Sequence, residues 1–413
     1  MRRAGYPWPT ARITAPSCRE AEAQASARAS STPQARSLRC RRSAVSEAPP
    51  AEVSAVSPSA RIDLSPYLRL LVERSGSDLF FSAGAAVKIK IEGQVTSVTR
   101  SPLTGDQSQQ AAWSLMTEDQ IARFERDLEI DFAVSLPDGS ARFRVNVFRQ
   151  RGEVAMVVRR IPSVIPSVEQ LGLPEVLKTL IMHKRGLILM VGATGSGKST
   201  TLAAMINERN ANEAGHILTI EDPIEFYHPN HRSVVNQREV GTDTRSYRAA
   251  LRSAMREAPD VILIGEVRDR ETMEAALELC NTGHLAISTM HANNANQAME
   301  RVINLFPADL HKQLYLDLSL NLRAVISQRL VTGLDRKRVA AVEVMINTPY
   351  VSELILKGEI GSIKEAMEGS GARGMQTFDM ALYGLYKAGR IDLEEALNNA
   401  DSRTNLEQRI NFG

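Results

Sequence analysis

The run Gly192-Ala193-Thr194-Gly195-Ser196-Gly197-Lys198-Ser199-Thr200 carries the strongest chemical signal in the chain. It fits the spacing G-x-x-x-x-G-K-[ST], directly after an apolar stretch and directly before a helical one. Glycines at that spacing let backbone N–H groups converge on phosphate oxygens, and the start of the following helix adds its positive end. Lys198 supplies a point charge for the β- and γ-phosphates, and Ser199 is the expected Mg²⁺ ligand. ATP and Mg²⁺ are therefore the expected cofactors, with residues 192–200 as the phosphate-binding set.

Such a loop needs an acid on another strand to organise the metal or to activate the attacking water. Val261-Ile262-Leu263-Ile264-Gly265-Glu266 fits, with Gly265 where a metal-ordering Asp is expected and Glu266 as the candidate base. Glu221, Asp222 and Glu225 follow another apolar stretch, at the sheet end where α/β folds bind ligands. Crowded acids repel one another unless cations neutralise them, and Mg²⁺ and Arg238 are the expected partners. His284 and His291 bracket residues 285–289. With Thr289 near the end of that strand, they read as a polar sensor of the γ-phosphate. A zinc site is disfavoured, since no third ligand stands at suitable spacing.

These groups need a scaffold. Residues 186–191, 216–220, 261–265 and 285–289 are short apolar runs, separated by helical stretches at 199–210 and 246–256, which is the pattern of a parallel α/β sheet. Residues 61–162 differ: one helical signal at 64–73 is followed by alternating stretches at 87–91, 131–134, 142–148 and 154–160, which predicts a small α+β domain. Pro162, Pro166 and Pro174 mark a linker over 163–182. The core is expected over 183–348. After Pro349 the pattern is mostly helical to residue 413, with breaks at Gly358, Gly371 and Gly389.

Residues 1–60 are rich in Ala, Ser, Pro and Arg and contain no Lys or Asp, so a disordered extension is expected there. A flexible extension or an upstream-misassigned start is preferred over an organelle transit peptide. No apolar run approaches the roughly 18 to 20 residues of a membrane span. A formal charge of +2 neither favours nor excludes nucleic acid. Cys18, Cys40 and Cys280 lack paired spacing, which argues against disulfides and structural zinc and fits a reducing cytoplasm. Arg245, Arg248, Arg252 and Arg256 form a basic stripe opposite Tyr247, Leu251 and Met255, but without the aromatic interleaving of a nucleic-acid surface.

The phosphate loop, the segment ILTIEDPIE, the strand VILIGE and the segment GHLAISTMHANN stand in the order of the Walker A, Asp box, Walker B and His box of secretion-superfamily ATPases. From about residue 62 onward the chain resembles the pilus retraction branch of that superfamily, the PilT/PilU family, through SGSDLFFSAG, RFRVNVF with VVRRIPS, and NQREVG. HANNANQAMERVINLFPADLHKQ, LDLSLNLRAVISQRL and GMQTFDMALYGLY look more like PilU than PilT.

The resemblance implies a RecA-like core, a PAS-like N-terminal domain and a helical C-terminal region. It implies Glu266 as catalytic glutamate, Glu225 as the Asp-box acid, and His284 with His291 as the His box. Arg142, Arg144 and Arg159 of the first domain would reach ATP held by the second domain, in their own or a neighbouring subunit, where an arginine finger is typically worth on the order of 10³ to 10⁵ in rate. It further implies a homohexamer powering type IV pilus retraction, and so twitching motility, cytoplasmic and peripheral at a bacterial inner membrane. An inner-membrane platform protein is the expected partner, and no direct nucleic acid is expected. Where PilT carries an AIRNLI-type segment, this chain reads Thr348-Pro-Tyr-Val351-Ser-Glu-Leu354-Ile355, losing the arginine and asparagine. The expectation is an accessory to a PilT-like ATPase. The alternatives are a nucleotide-binding structural or regulatory ring subunit, or a pilus assembly or type II secretion ATPase.

Overall fold

Alternating residues between positions 142 and 148 divide cleanly between two environments: Phe143, Val145 and Val147 are buried, while Arg142, Arg144 and Asn146 are partly open. That is the period of a strand with one face on a core. The computed structural model describes residues 62–412 except 92 and 163, so the extension expected over 1–60 lies outside the described residues. The chain opens with α1 (Ser65–Glu73), β1 (Asp78–Ser82), β2 (Lys88–Ile91), β3 (Gln94–Ser97), α2 (Gly105–Leu115), α3 (Glu118–Asp127), β4 (Glu129–Ser135), β5 (Arg142–Gln150) and β6 (Glu153–Ile161). The strands form an antiparallel sheet in the order β3-β2-β1-β6-β5-β4.

Capping boxes start α2 and α3, with Thr104 and Gln107 in one and Thr117 and Gln120 in the other, and satisfy N–H groups that the first turn leaves unpaired. Leu71, Leu79, Phe124 and Phe143 are fully buried between helices and sheet, and Trp113 meets Phe124 edge-on at 5.5 Å between ring centres.

Next come α4 (Val176–Ile181), β7 (Gly186–Val191), α5 (Lys198–Asn212), β8 (Gly215–Glu221), β9 (Ser233–Glu239), α6 (Tyr247–Ala254), β10 (Val261–Ile264), α7 (Arg270–Asn281), β11 (Leu285–Met290), α8 (Ala295–Asn304), α9 (His311–Asn321), β12 (Leu322–Thr332) and β13 (Arg338–Ile346). Their sheet runs β13-β12-β7-β11-β10-β8-β9. It is parallel except for the β12–β13 hairpin. Every residue of β7 is buried. Leu187, Leu189 and Val191 share a cluster with α6 to α9, while Ile188 and Met190 share one with α4 and α5, so helices cover both faces of the sheet.

The sequence pattern marks β7, β8, β10 and β11 but leaves β9, β12 and β13 unread. β12 follows α9 without a break, in the run Leu318-Ser-Leu-Asn-Leu322-Arg-Ala-Val, where apolar spacing suits a helix as well as a strand. Tertiary pairing with β7 on one side and β13 on the other decides the question.

The remaining helices are α10 (Pro349–Lys357), α11 (Ile363–Glu368), α12 (Phe378–Lys387), α13 (Leu393–Asn399) and α14 (Arg403–Phe412). Gly358 closes α10 in a left-handed conformation at φ 77°. Phe378, Leu382, Leu397 and Leu406 pack with Val331 and Val339 of the hairpin. Among the described residues no helix is long and apolar enough to cross a membrane.

Candidate nucleotide site

β7 ends at Val191 and the chain turns at once into Gly192, whose φ is 153°. A Cβ there would stand 2.5 Å from the Ser196 hydroxyl and 2.6 Å from the Gln328 carbonyl, so only glycine fits. Gly197, at φ 88°, opens α5. No side chain caps that helix and its first turn holds no acid, which leaves the N–H groups and the positive helix end facing the loop. The Ser196 hydroxyl is buried and lacks a partner within the described residues. A cradle of free donors that tolerates no side chain suits a phosphate group.

Lys198 Nζ donates to the carbonyls of Gly192 at 2.8 Å and Ala193 at 3.0 Å. Burial pushes its ammonium below the ordinary lysine range, and the facing charges of Glu266 and Glu225 work against that shift. Thr194, Gly195, Lys198 and Ser199 form one wall of a cleft of about 380 Å³, and Glu221, Asp222, Glu225 and Glu266 form another.

Glu266 stands two residues past β10, where Arg268 grips Oε2 at 2.7 Å and His291 Nε2 lies 3.3 Å from Oε1. Gly265 has a steric reason for its identity. A Cβ there would sit 2.6 Å from the Tyr247 hydroxyl and 3.1 Å from the Ile220 carbonyl, so the Asp expected at this place would have to displace the tyrosine hydroxyl and press on the β8 backbone. Thr289 donates to the Gly265 carbonyl at 2.6 Å and so ties the end of β11 to the turn that carries Glu266. Glu221 accepts from Thr219 at 2.6 Å and from Gln237 at 3.1 Å, and desolvation raises its carboxyl above the usual range.

Several expectations need correction. Arg238 does not neutralise the acids around Glu221; it bonds Glu257 at 2.8 Å because β9 points it toward α6 rather than into the cleft. The two histidines do not form one sensor. His291 reaches the cleft, but His284 precedes β11, at the opposite end of that strand, where its Nδ1 lies 3.1 Å from both the Leu279 carbonyl and the Thr282 hydroxyl. The arginines are expected to serve their own or a neighbouring subunit's site; of the three, Arg144 alone lines the cleft of its own chain, and it also donates to Asp131 at 3.2 Å. Arg159 lies directly across from Arg144 in the sheet but is held by the buried carboxylate of Asp78 at 2.8 Å. Arg142, at the start of β5, is not brought to the cleft of its own chain.

The sequence reading missed Arg268, Tyr247 and His228 as cleft residues. Arg268 carried a usable signal, a cation two places beyond the candidate base. Tyr247 carried none, since its place opposite the basic stripe reads as core. That stripe is not a uniform basic face either: Arg248 pairs with Glu271 at 2.6 Å, and Met255 is 41% exposed.

A family model described as "Type II/IV secretion system protein" matches residues 59–377. The chain is 51% identical over 353 residues to the type IV pilus ATPase PilU of Pseudomonas aeruginosa, covering 85% of this chain and 92% of that one. It is 43% identical over 339 residues to the pilus retraction ATPase PilT of the same organism, covering 82% and 98%. Among solved structures, the pilus retraction motor PilT with bound ADP superposes with a TM-score of 0.79 at 40% identity, over 84% of this chain and 99% of the other. The Legionella pneumophila ATPase DotB follows with a TM-score of 0.71 at 26% identity, over 82% and 96%.

Proposed function

Since the chain belongs to the type II/IV secretion system protein family, among its PilU- and PilT-like type IV pilus ATPases, we propose that its cleft hydrolyses ATP to drive pilus retraction as a homohexameric ring, PilU-like and accessory to a PilT-like motor. The observation that carries this reading is one cleft in which the phosphate loop and Lys198 face Glu266 and the acids at the end of β8. The ADP bound in the PilT structure, to which the fold is similar, supports nucleotide as the ligand.

In this reading Lys198 exchanges its bonds to the Gly192 and Ala193 carbonyls for phosphate oxygens, and the N–H groups of the loop and of the first turn of α5 hold the rest. Ser199 and the acids at the end of β8 would hold Mg²⁺. The ion would supply charge neutralisation on the phosphates. Glu266 accepts a proton from the attacking water once it is released from Arg268, and His291 and Thr289 pass the state of that carboxylate to β11. Arg144 brings a cation from the six-stranded sheet to the developing charge, so hydrolysis changes how the two sheets are held together. Attachment to an inner-membrane platform belongs to the same proposal.

Because Glu266 is held from both sides, the second reading is a nucleotide-binding ring subunit with little turnover of its own. Hydrolysis by the purified protein, alone and mixed with the PilT-like ATPase of the same organism, separates the two, with Glu266→Ala as control. Turnover alone or on mixing that the substitution abolishes supports the motor, and no turnover in either condition selects the structural subunit.

A further inference from the structure

We propose that Gln328 is a positioning residue for the nucleotide phosphates: its buried side-chain amide holds the phosphate loop in its binding geometry from below. The inference rests on the ATPase reading and deepens it. β12 runs parallel to β7 with Ser327 level with Val191, so residue 328 arrives beneath the loop just where β7 gives way to it. The Gln328 amide N–H donates to the Ser196 carbonyl at 2.9 Å, and its Oε1 accepts from the Thr201 hydroxyl at 2.7 Å. All three residues are buried. The amide orientation is unambiguous, since a backbone carbonyl can only accept.

The peptide plane turns this contact into a functional constraint. In a trans peptide the carbonyl of Ser196 and the N–H of Gly197 point in opposite directions. Pinning that carbonyl down onto Gln328 therefore aims the Gly197 N–H up, into the phosphate cradle. Gly197 is also where the loop has no room to move inward, because a Cβ there would lie 2.7 Å from Gln328 Nε2. Thr201, in the first turn of α5, fixes the far side of the amide, so loop and helix start are braced by one side chain. A buried amide committed to both neighbours is costly to replace, because its removal leaves the Ser196 carbonyl and the Thr201 hydroxyl unpaired.

Three variants of the full chain, Gln328→Leu, Gln328→Glu and Thr201→Val, test the assignment by calorimetric titration with MgADP, by KM and kcat for ATP, and by melting temperature without nucleotide. Gln328→Leu is expected to weaken MgADP about tenfold or more and to raise KM in proportion, with a smaller fall in kcat. At a pH where its carboxylate is ionised, Gln328→Glu still accepts from Thr201 but cannot donate to Ser196, so it should behave like the Leu variant there. Thr201→Val should lose about threefold. A folded Gln328→Leu or Gln328→Glu protein with wild-type MgADP affinity and KM overturns the inference, as does an effect confined to melting temperature. Should Gln328→Leu fail to fold, the Glu and Thr201 variants decide. A wild-type protein that binds no MgADP would remove the ATPase reading itself, an outcome distinct from equal binding by wild type and variants.

Discussion

Glu266 meets a guanidinium at 2.7 Å and an imidazole at 3.3 Å, so the group proposed as base is paired before any water can use it. Glu266→Gln should lower kcat by about 100-fold or more while MgADP affinity stays within a few-fold, since the phosphate loop is untouched. A rate near wild type would remove Glu266 from the chemistry. His228 shows a different effect of burial. It lines the same cleft, its Nδ1 has no partner within the described residues, and desolvation pushes its imidazole from 6.5 down to about 4. Between those values the unfolded chain binds a proton that the folded chain refuses, so stability rises with pH across that window and falls on acidification. Glu221 and Glu343 are raised by burial and act with the opposite sign above 4.5, but they are common to wild type and variant. His228→Phe should therefore flatten the urea-unfolding stability curve between pH 4 and 6.5 by roughly 3 kcal/mol relative to wild type. Equal slopes would place the proton elsewhere. The places of the loop residues and of Glu266 beside one cleft were legible because spacing and strand context announce them, whereas His228 gave no signal, since a lone loop histidine looks the same in sequence whether buried or exposed.

Elements carry the next level of control. α10 keeps Val351, Leu354 and Ile355 buried where the resemblance compares an AIRNLI-type segment, and Thr348 caps it by accepting from the Val351 N–H at 3.3 Å. Thr348→Ala should cost about 1 kcal/mol, read as a lower melting temperature with ATP turnover unchanged. A larger loss would mean that Thr348 does more than cap. β12 matters more, because consecutive polar residues on it face different partners. Ser327 donates to the buried Glu343, which also accepts from the first N–H of α8; Gln328 braces the phosphate loop; Arg329 turns outward to the C-terminal helices. The sequence shows these as a polar interruption in an apolar run, a pattern that period alone cannot assign to strand or helix. Pairing across the sheet made it a strand and gave each side chain its partner.

For the whole molecule, two long-range attachments join distant parts, one at the cleft and one at the C-terminal helices. Arg144 reaches it from the six-stranded sheet, and Arg144→Ala should lower kcat by about tenfold or more with little change in melting temperature, the mark of a residue acting on charge rather than on packing. The same substitution at Arg142, which does not reach the cleft, should leave kcat within about twofold if one chain supplies the whole site. A larger loss at Arg142 would place it in a neighbouring subunit's cleft. Arg329 joins the Asn399 carbonyl at 2.8 Å, the Asn293 carbonyl at 3.2 Å and Asp401 at 2.6 Å, and lies 3.9 Å over the Phe378 ring. Arg329→Met should cost on the order of 2 kcal/mol and speed proteolysis within the C-terminal helices. Unchanged cleavage would show that the packing around Phe378 suffices.

The sequence by itself determined the phosphate loop, the strands that carry it and Glu266, and the apolar faces of the helices, because each depends on residue type at short spacing. Tertiary structure alone decided which distant groups meet. It turned Arg238 toward Glu257 and, of the three arginines, brought Arg144 to the chain's own cleft. It also brought the Tyr247 hydroxyl within 2.6 Å of where a Cβ at 265 would lie and slid Gln328 beneath the loop. Such contacts depend on strand order and register, and those are fixed by how several elements bury their apolar faces together rather than by any one segment.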